Sequence, residues 1–322
     1  MELNEFLAEW HNDNPRILVH TSGSTGKPKP LMVEKRRMLN SARITCDFLG
    51  LKPGDTALLC MPLDYIAGKM MVVRSLQRDL RLTTVRPSSH PLADDTLPSF
   101  TFAAMVPMQV YNTLKVPCER ERLMRIRHLI IGGGAISDEL AQMIKPLPNA
   151  VWSTYGMTET LSHIALRRLN GPDASLWYTP FDGVSISLNA DGCLVIDAPE
   201  VCAEPLATND IAQLRTDDRT GKTLFRIKGR KDNVVCSGGI KIQIEEVEET
   251  LRPHLSAPFM IVKKQDEMLG EKAILLTESA DLTHIEEICR NTLPKYWVPR
   301  EFLHIDHLPL TETGKPKRSG AF

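Results

Sequence analysis

No apolar run in these 322 residues approaches the roughly 18 that a membrane-spanning helix needs. The opening MELNEFLAEWHND is acidic and lacks the apolar core and cleavage site of a secretory leader. A soluble, cytoplasmic protein without membrane insertion is therefore expected. An excess of charge is missing as well: 39 Lys and Arg stand against 40 Asp and Glu, so no overall field recruits nucleic acid or an acidic membrane. Any anion site must be local. The seven cysteines are scattered with no C-x-x-C pair for zinc or redox work, which predicts buried, reduced thiols. There is no internal repeat and no low-complexity segment.

What is present suffices for two domains and a large core. Leu3, Phe6, Leu7 and Trp10 share one face of a short helix that Asn14-Pro15 ends. The strand RILVH follows, then a polar loop, a helix over 34–48, the strand TALLCMP and a helix over 66–77. HLIIGGGAIS reads as a buried strand entering a turn, with Ser137 capping the next helix and Asp138 and Glu139 in its first turn. This alternation predicts α/β layers over 1–170. Over 171–231 the runs VSISL, GCLVID, IAQLR and TLFRIKG, each bounded by Gly, Asn, Asp or Pro, predict a β-rich subdomain. Residues 232–322 read as a separate small domain. There IKIQIEEVEETL gives a strand and a helix burying Ile244, Val247 and Leu251, and Thr283 with Glu286 makes a capping box for a second helix.

Five segments carry chemistry. In TSGSTGKPK (21–29), Gly23 and Gly26 let successive N–H groups converge, while Thr21, Ser22, Ser24 and Thr25 add hydroxyls and Lys27 and Lys29 add charge. That composition suits a polyphosphate cradle, although such clusters also make ordinary turns. The Walker loop is excluded, because the glycines are too close and Pro28 follows the lysine. YGMTET (155–160) packs a ring, a glycine, hydroxyls and a carboxylate together, a set suited to a base, a phosphate and Mg²⁺. GGGAIS (132–137) lacks the third glycine of the dinucleotide fingerprint and suits backbone laid against a flat ligand. In GRKDNVVCSGG (229–239), Arg230 and Asp232 read either as site residues or as a surface ion pair. LTETGKPKR (310–318) alone reads as a solvated basic tail.

In order and relative placement these segments, with ATND ending at Asp210, resemble the core motifs of the AMP-forming acyl-CoA synthetases. That adenylating group also includes firefly luciferases and peptide-synthetase adenylation domains. The resemblance implies an α/β adenylate-forming fold: an N-terminally shortened large domain (1–231) for ATP and the acid, and a mobile C-terminal lid (232–322). It implies ATP, Mg²⁺ and coenzyme A as cofactors and a small carboxylic acid as partner, and it leaves homo-oligomerisation open. By the same resemblance, Thr21, Ser22, Gly23, Ser24, Thr25, Gly26 and Lys27 hold the β- and γ-phosphates. Tyr155 and Gly156 hold adenine beside the Gly133, Gly134 and Ala135 backbone, Thr158 binds the α-phosphate and Glu159 ligates Mg²⁺. Asp210 and Arg230 hold the ribose, and Lys315 bridges the substrate carboxylate and the α-phosphate. Asp232 is the hinge, and Ser237, Gly238 and Gly239 line the CoA channel. The implied reaction forms an acyl-adenylate with pyrophosphate release, then a CoA thioester with AMP release after the lid rotates.

The segment MPLDYIAGKMMVVR has Asp64 and Tyr65 where an aromatic and a His commonly stand in this family. With YGMTETLSHIALRRL it is similar to the compact o-succinylbenzoate-CoA ligases of menaquinone biosynthesis. A dicarboxylate needs a partner for its unreacted carboxylate once water is removed. Lys69 or Arg74 is the expected partner, with Tyr65, Ser162 and His163 lining the pocket; each also has a plain reading as surface charge or structural side chain. Another aryl or short-chain acid, and a nucleotide-binding pseudoenzyme, are the alternatives.

Overall fold

The computed structural model describes residues 1–20, 30–134, 136–310 and 317–318. The chain is mixed α/β and divides into two compact units: 1–186 with 196–206 and 215–224, and 187–195 with 207–214 and 225–322.

The first unit opens with α1 (Leu3–His11), whose Phe6 and Trp10 are buried. Strands β1 (Arg16–His20) and β2 (Pro30–Glu34) pair antiparallel from Arg16↔Glu34 to His20↔Pro30. β2 was not expected from the sequence. Its proline hides it, yet a proline is tolerated as the first residue of a strand in a two-stranded sheet. After α2 (Lys35–Leu49) come β3 (Thr56–Leu59), α3 (Ile66–Arg78), β4 (Arg81–Thr84), β5 (Phe102–Met105), α4 (Pro107–Lys115), α5 (Pro117–Met124), β6 (His128–Ile131), α6 (Asp138–Ile144), β7 (Ala150–Gly156), β8 (His163–Arg168) and β9 (Thr179–Pro180). They build a seven-stranded sheet in the order β4-β3-β5-β6-β7-β8-β9. β4 to β7 are parallel, whereas β8 and β9 run antiparallel. FAAM and most of HLII are buried on both faces, as expected of parallel strands in the middle of a covered sheet. Ser137 caps α6 by accepting a hydrogen bond from Leu140 N.

Strands β10 (Ser185–Leu188), β11 (Cys193–Asp197), β12 (Leu206–Thr216) and β13 (Thr223–Arg230) form a four-stranded sheet in that order. The second unit continues with β14 (Val234–Ser237), β15 (Ile240–Gln243), α7 (Ile244–Leu251), β16 (Phe259–Asp266), β17 (Gly270–Thr277), α8 (Leu282–Thr292) and β18 (Glu301–His304). Its core gathers Val235, Ile242, Val247, Leu251, Leu275 and Ile285. Gly238 and Gly239, both at positive φ, make the two-residue turn between β14 and β15, the conformation a tight hairpin demands. The cap of α8 differs from expectation: Asp281, not Thr283, accepts from His284 N, and the helix starts at Leu282. An aspartate two residues earlier competes successfully for the cap.

None of the seven cysteines is in a disulfide, and Cys118 and Cys236 are exposed, not buried as expected. Among the described residues no helix is long and apolar enough to cross a membrane.

Helix α3 leaves the loop after β3 at close range. A Cβ on Gly68 would lie 2.2 Å from Pro62 O, so only glycine permits the approach. Gly68→Ala is expected to lower unfolding stability by about 1–3 kcal/mol, the cost of overpacking. Urea denaturation measures it; an unchanged midpoint would show that the loop yields freely.

Candidate functional site

Because β3, β5, β6 and β7 are parallel, the loops that follow them all emerge at one edge of the sheet. That edge is where open α/β sheets bind ligands. It collects Tyr65 at the start of α3, Gly133 and Gly134 after β6, and Tyr155, Gly156, Thr158 and Glu159 at the end of β7. β8 returns antiparallel and sets His163 opposite Gly156, so Ser162 and His163 join the same edge. Thr21 to Lys27, Ala135 and Lys315 lie outside the described residues.

The segment 155–163 is built around close approaches. A Cβ on Gly156 would lie 2.3 Å from Ser162 O and 2.4 Å from His163 Cα. Thr160, fully buried, accepts from Met157 N at 3.0 Å and lies 2.7 Å from Ser162 O as donor. Leu161 is held at φ 65°, a left-handed conformation costly for a leucine. Thr158 is buried beside these bonds, whereas Glu159 is exposed and accepts from Cys202 Sγ at its carbonyl. Glu159 lines an open cleft of about 310 Å³ with Arg16, Glu34, Arg37 and Glu204. Among the described residues no three His, Cys, Asp or Glu side chains converge to hold a metal. Mg²⁺ at a nucleotide needs only one or two carboxylates besides phosphates and waters, so a single glutamate fits that role. The Tyr155 ring lies 5.8 Å from Tyr178, whose hydroxyl is 2.8 Å from Ser153 Oγ. The sequence reading missed Tyr178, which stands in a β-bridge just before the two-residue strand β9, too short an element for periodicity to mark.

The two candidate cations separate clearly. Lys69, 2% exposed, turns toward α1: its Nζ is 3.9 Å from Glu9 Oε2 and 5.4 Å from the Phe6 ring centroid. Burial lowers its pKa, and Glu9 pulls the other way. Arg74, also 2% exposed, donates from Nη2 to Ser162 Oγ at 2.5 Å and from Nη1 to Met71 Sδ at 3.8 Å. Its Nε has no partner, and among the described residues no carboxylate faces it. Burial brings its pKa down to about 10. Keeping the guanidinium charged there costs about 3 kcal/mol at neutral pH. His163 continues the network: Nδ1 is 3.2 Å from Ser162 Oγ and Nε2 is 3.1 Å from Thr45 Oγ1. Burial first, and the Arg74 charge second, hold His163 well below the ordinary histidine pKa, so it is neutral at pH 7.

In the second unit, Arg230 reaches Asp210 Oδ1 at 3.5 Å and Asp232 Oδ2 at 3.0 Å, so all three candidates share one guanidinium. Asn233 Nδ2 and Arg230 N both donate to Glu245 Oε1, which pins the segment 230–233 to the start of α7. Ser237 pairs with Ile240 and Gly270, and Gly238 N donates to Leu269 O at 2.8 Å.

A pH consequence follows from His163. The unfolded chain protonates this residue near its ordinary pKa and the folded chain does not, so stability is complete above that value and falls as pH drops below it. Thermal unfolding between pH 7.5 and 5 is expected to show a steeper loss for the native chain than for His163→Gln. Parallel curves would mean that His163 is protonated in place.

The family described as AMP-binding enzyme matches residues 4–192, more than half of the chain. A 2-succinylbenzoate–CoA ligase from Bacillus mycoides (strain KBAB4) is 25% identical over 334 residues, covering 95% of this chain and 69% of that protein. Among solved structures, an acyl-CoA synthetase (AMP-forming)/AMP-acid ligase II-like protein from Dyadobacter fermentans DSM 18053 is 33% identical, with a TM-score of 0.68 over 98% of this chain and 91% of that one. The o-succinylbenzoate coenzyme A synthetase of Bacillus subtilis, in complex with ATP and magnesium ion, shares the fold with a TM-score of 0.75 at 23% identity, over 94% of this chain and 69% of that one. The chain belongs to the AMP-binding enzyme family, the adenylate-forming acyl-CoA ligases.

Proposed function

We propose that the protein is an ATP-dependent carboxylate–CoA ligase whose acid is o-succinylbenzoate, which assigns it to menaquinone biosynthesis. The observation that carries the choice of acid is Arg74: a buried guanidinium with an idle Nε and, among the described residues, no facing carboxylate, held by Ser162 two residues after the segment YGMTET. A second carboxylate on the substrate compensates that charge, whereas a fatty acid does not. Lys69 is the weaker candidate, since Glu9 already faces it. The similar proteins named above as succinylbenzoate ligases support the same choice.

In this reading the ATP phosphates lie on the loop 21–27, with Lys27 opposite the departing pyrophosphate. Tyr155 stacks on adenine, Thr158 binds the α-phosphate, and Asp210 and Arg230 bind the ribose. Glu159 would hold Mg²⁺, which supplies charge neutralisation at the phosphates. Lys315 stabilises the charge that develops as the acid oxygen bonds to the α-phosphorus and the bond to pyrophosphate breaks; positioning and electrostatics are most of what a protein adds to such a step. Residues 232–322 then rotate about Asp232, Lys315 leaves, and the turn Ser237–Gly239 admits the pantetheine thiol to the acyl carbonyl.

Three tests follow. Incubation with MgATP, CoA and a panel containing o-succinylbenzoate, benzoate and medium-chain fatty acids is expected to yield o-succinylbenzoyl-CoA and AMP by mass spectrometry. AMP with another thioester would replace the acid, and no AMP with any acid would favour a pseudoenzyme. Arg74→Met is expected to lower kcat/KM for o-succinylbenzoate by about 10²–10³-fold, the loss of a buried ionic partner. The same change should raise the thermal midpoint, because it removes an uncompensated buried charge; a variant that loses both activity and stability would assign Arg74 a structural role instead. Lys315→Ala is expected to slow adenylation by roughly 10²–10³-fold while sparing thioester formation from supplied acyl-adenylate. Equal losses in both half-reactions would sink the rotation scheme.

A further inference from the structure

Thr45, on α2, is fully buried, and its hydroxyl meets two groups at once. Oγ1 donates to Ser41 O at 3.1 Å, one turn earlier in the same helix, and lies 3.1 Å from His163 Nε2. The first contact is the ordinary fate of a threonine inside a helix. The second is not, since it ties α2 to the first residue of β8. On its other side the ring continues through Nδ1, 3.2 Å from Ser162 Oγ, and Ser162 Oγ accepts from Arg74 Nη2 at 2.5 Å. Four contacts thus run in line from a helix carbonyl to the guanidinium.

The two ends of this line fix every proton in it, because a backbone carbonyl only accepts and a guanidinium only donates. Thr45 has one hydroxyl proton and Ser41 O takes it, so Oγ1 has only lone pairs to offer His163. Nε2 must then carry the ring proton. In a neutral imidazole the other nitrogen accepts, so Nδ1 takes the Ser162 proton and Ser162 turns a lone pair to Arg74. Every contact in the line then has its own proton. The reverse tautomer asks Thr45 to serve two acceptors with one proton. It also sends two N–H groups to Ser162 Oγ, whose own proton then finds no acceptor among the described residues. Burial first, and the Arg74 charge second, exclude the doubly protonated ring.

We propose that Thr45 is a positioning residue for Arg74, which it reaches through the tautomer of His163. The proposal rests on the reading of Arg74 as the partner of the acid's second carboxylate. Thr45 touches no reacting atom in this scheme. A hydroxyl that gives away its own proton is a better acceptor, so a line of bonds all pointing one way strengthens the last of them. That last bond holds Arg74 Nη2 and leaves Nε, which has no partner, as a donor to the acid. The same order commits the Ser162 proton to the ring, so the carboxylate meets the guanidinium and not the serine hydroxyl.

The ring proton is read directly by heteronuclear NMR of ligand-free protein labelled at its histidine nitrogens, the signals of His163 being those that vanish in His163→Gln. The native chain is expected to carry the proton on Nε2; a proton on Nδ1 would overturn the proposal before any acid is added. Thr45→Val keeps the branched shape but offers Nε2 no lone pair, and it is expected to move the proton to Nδ1. Thr45→Ser is expected to return it to Nε2. With whichever acid the panel of the preceding subsection turns over, Thr45→Val is expected to raise KM by about 3–10-fold, the loss of roughly one hydrogen bond, with kcat changed by no more than about two-fold. In Thr45→Ser the native KM is expected to return together with the tautomer. A valine variant whose tautomer moves while KM stays, or whose kcat falls as far as KM rises, would overturn the positioning role. If the valine variant does not fold, Thr45→Ala removes the same lone pairs and is scored in the same way. Arg74→Met separates the two readings. If it leaves kcat/KM unchanged, the reading of the acid fails and the proposal with it; if it lowers kcat/KM while Thr45→Val leaves KM as it was, only the positioning role fails.

Discussion

A guanidinium removed from water with no carboxylate opposite it among the described residues is an unusual thing for a fold to tolerate, and the surroundings of Arg74 are organised by that constraint. Its neighbours are a hydroxyl, a thioether and, one step further, an imidazole. His163 stays neutral first because it is buried, and second because its charge would add to that of Arg74 in the same enclosure. Thr45 and Ser162 satisfy both ring nitrogens without bringing in a counter-charge. The network is thus polar but short of one anion. Within the proposed function, the second carboxylate of the acid is that anion, so part of the binding energy is stored in the ligand-free protein as instability. Sites of this kind trade stability for recognition.

The sheet supplies the frame on which this charge is held. Parallel strands bring several loops to one edge, and the antiparallel return of β8 sets Ser162 and His163 against the motif that precedes them. Small residues make the junction: Gly156 admits the backbone of residues 162 and 163, Thr160 locks the turn, and Leu161 accepts a strained backbone conformation. Within the proposed function, adenine and the acid are thereby held by one short stretch of chain. A shift at either end must move the other.

Much of this organisation is legible in the amino-acid order because its causes are local. The periodic burial of α1 and α7, the Ser137 cap and the glycine turn at 238–239 follow from spacing and turn chemistry. The order of the motifs identifies the family, since five segments of distinctive composition must coincide. Long-range competition is less legible. β2 is hidden by Pro30, and the cap of α8 falls on Asp281 because an aspartate stands two residues ahead of the expected threonine. Lys69 and Arg74 are equivalent as text, and only the docking of α1 with Glu9 and Phe6 separates them. The same limit applies to Arg318, whose partner, Glu248 on α7, lies 70 residues away.

The cysteines have a practical consequence. Five are buried, and burial raises the pKa of each, to about 12 for Cys60 and Cys289, which leaves them poor nucleophiles. The two that face solvent are Cys118 in the first unit and Cys236 in the second. The native chain thus already carries one accessible thiol on each unit. A pair of thiol-reactive dyes would span the two units without an engineered residue, and energy transfer between them would follow their separation through a catalytic cycle.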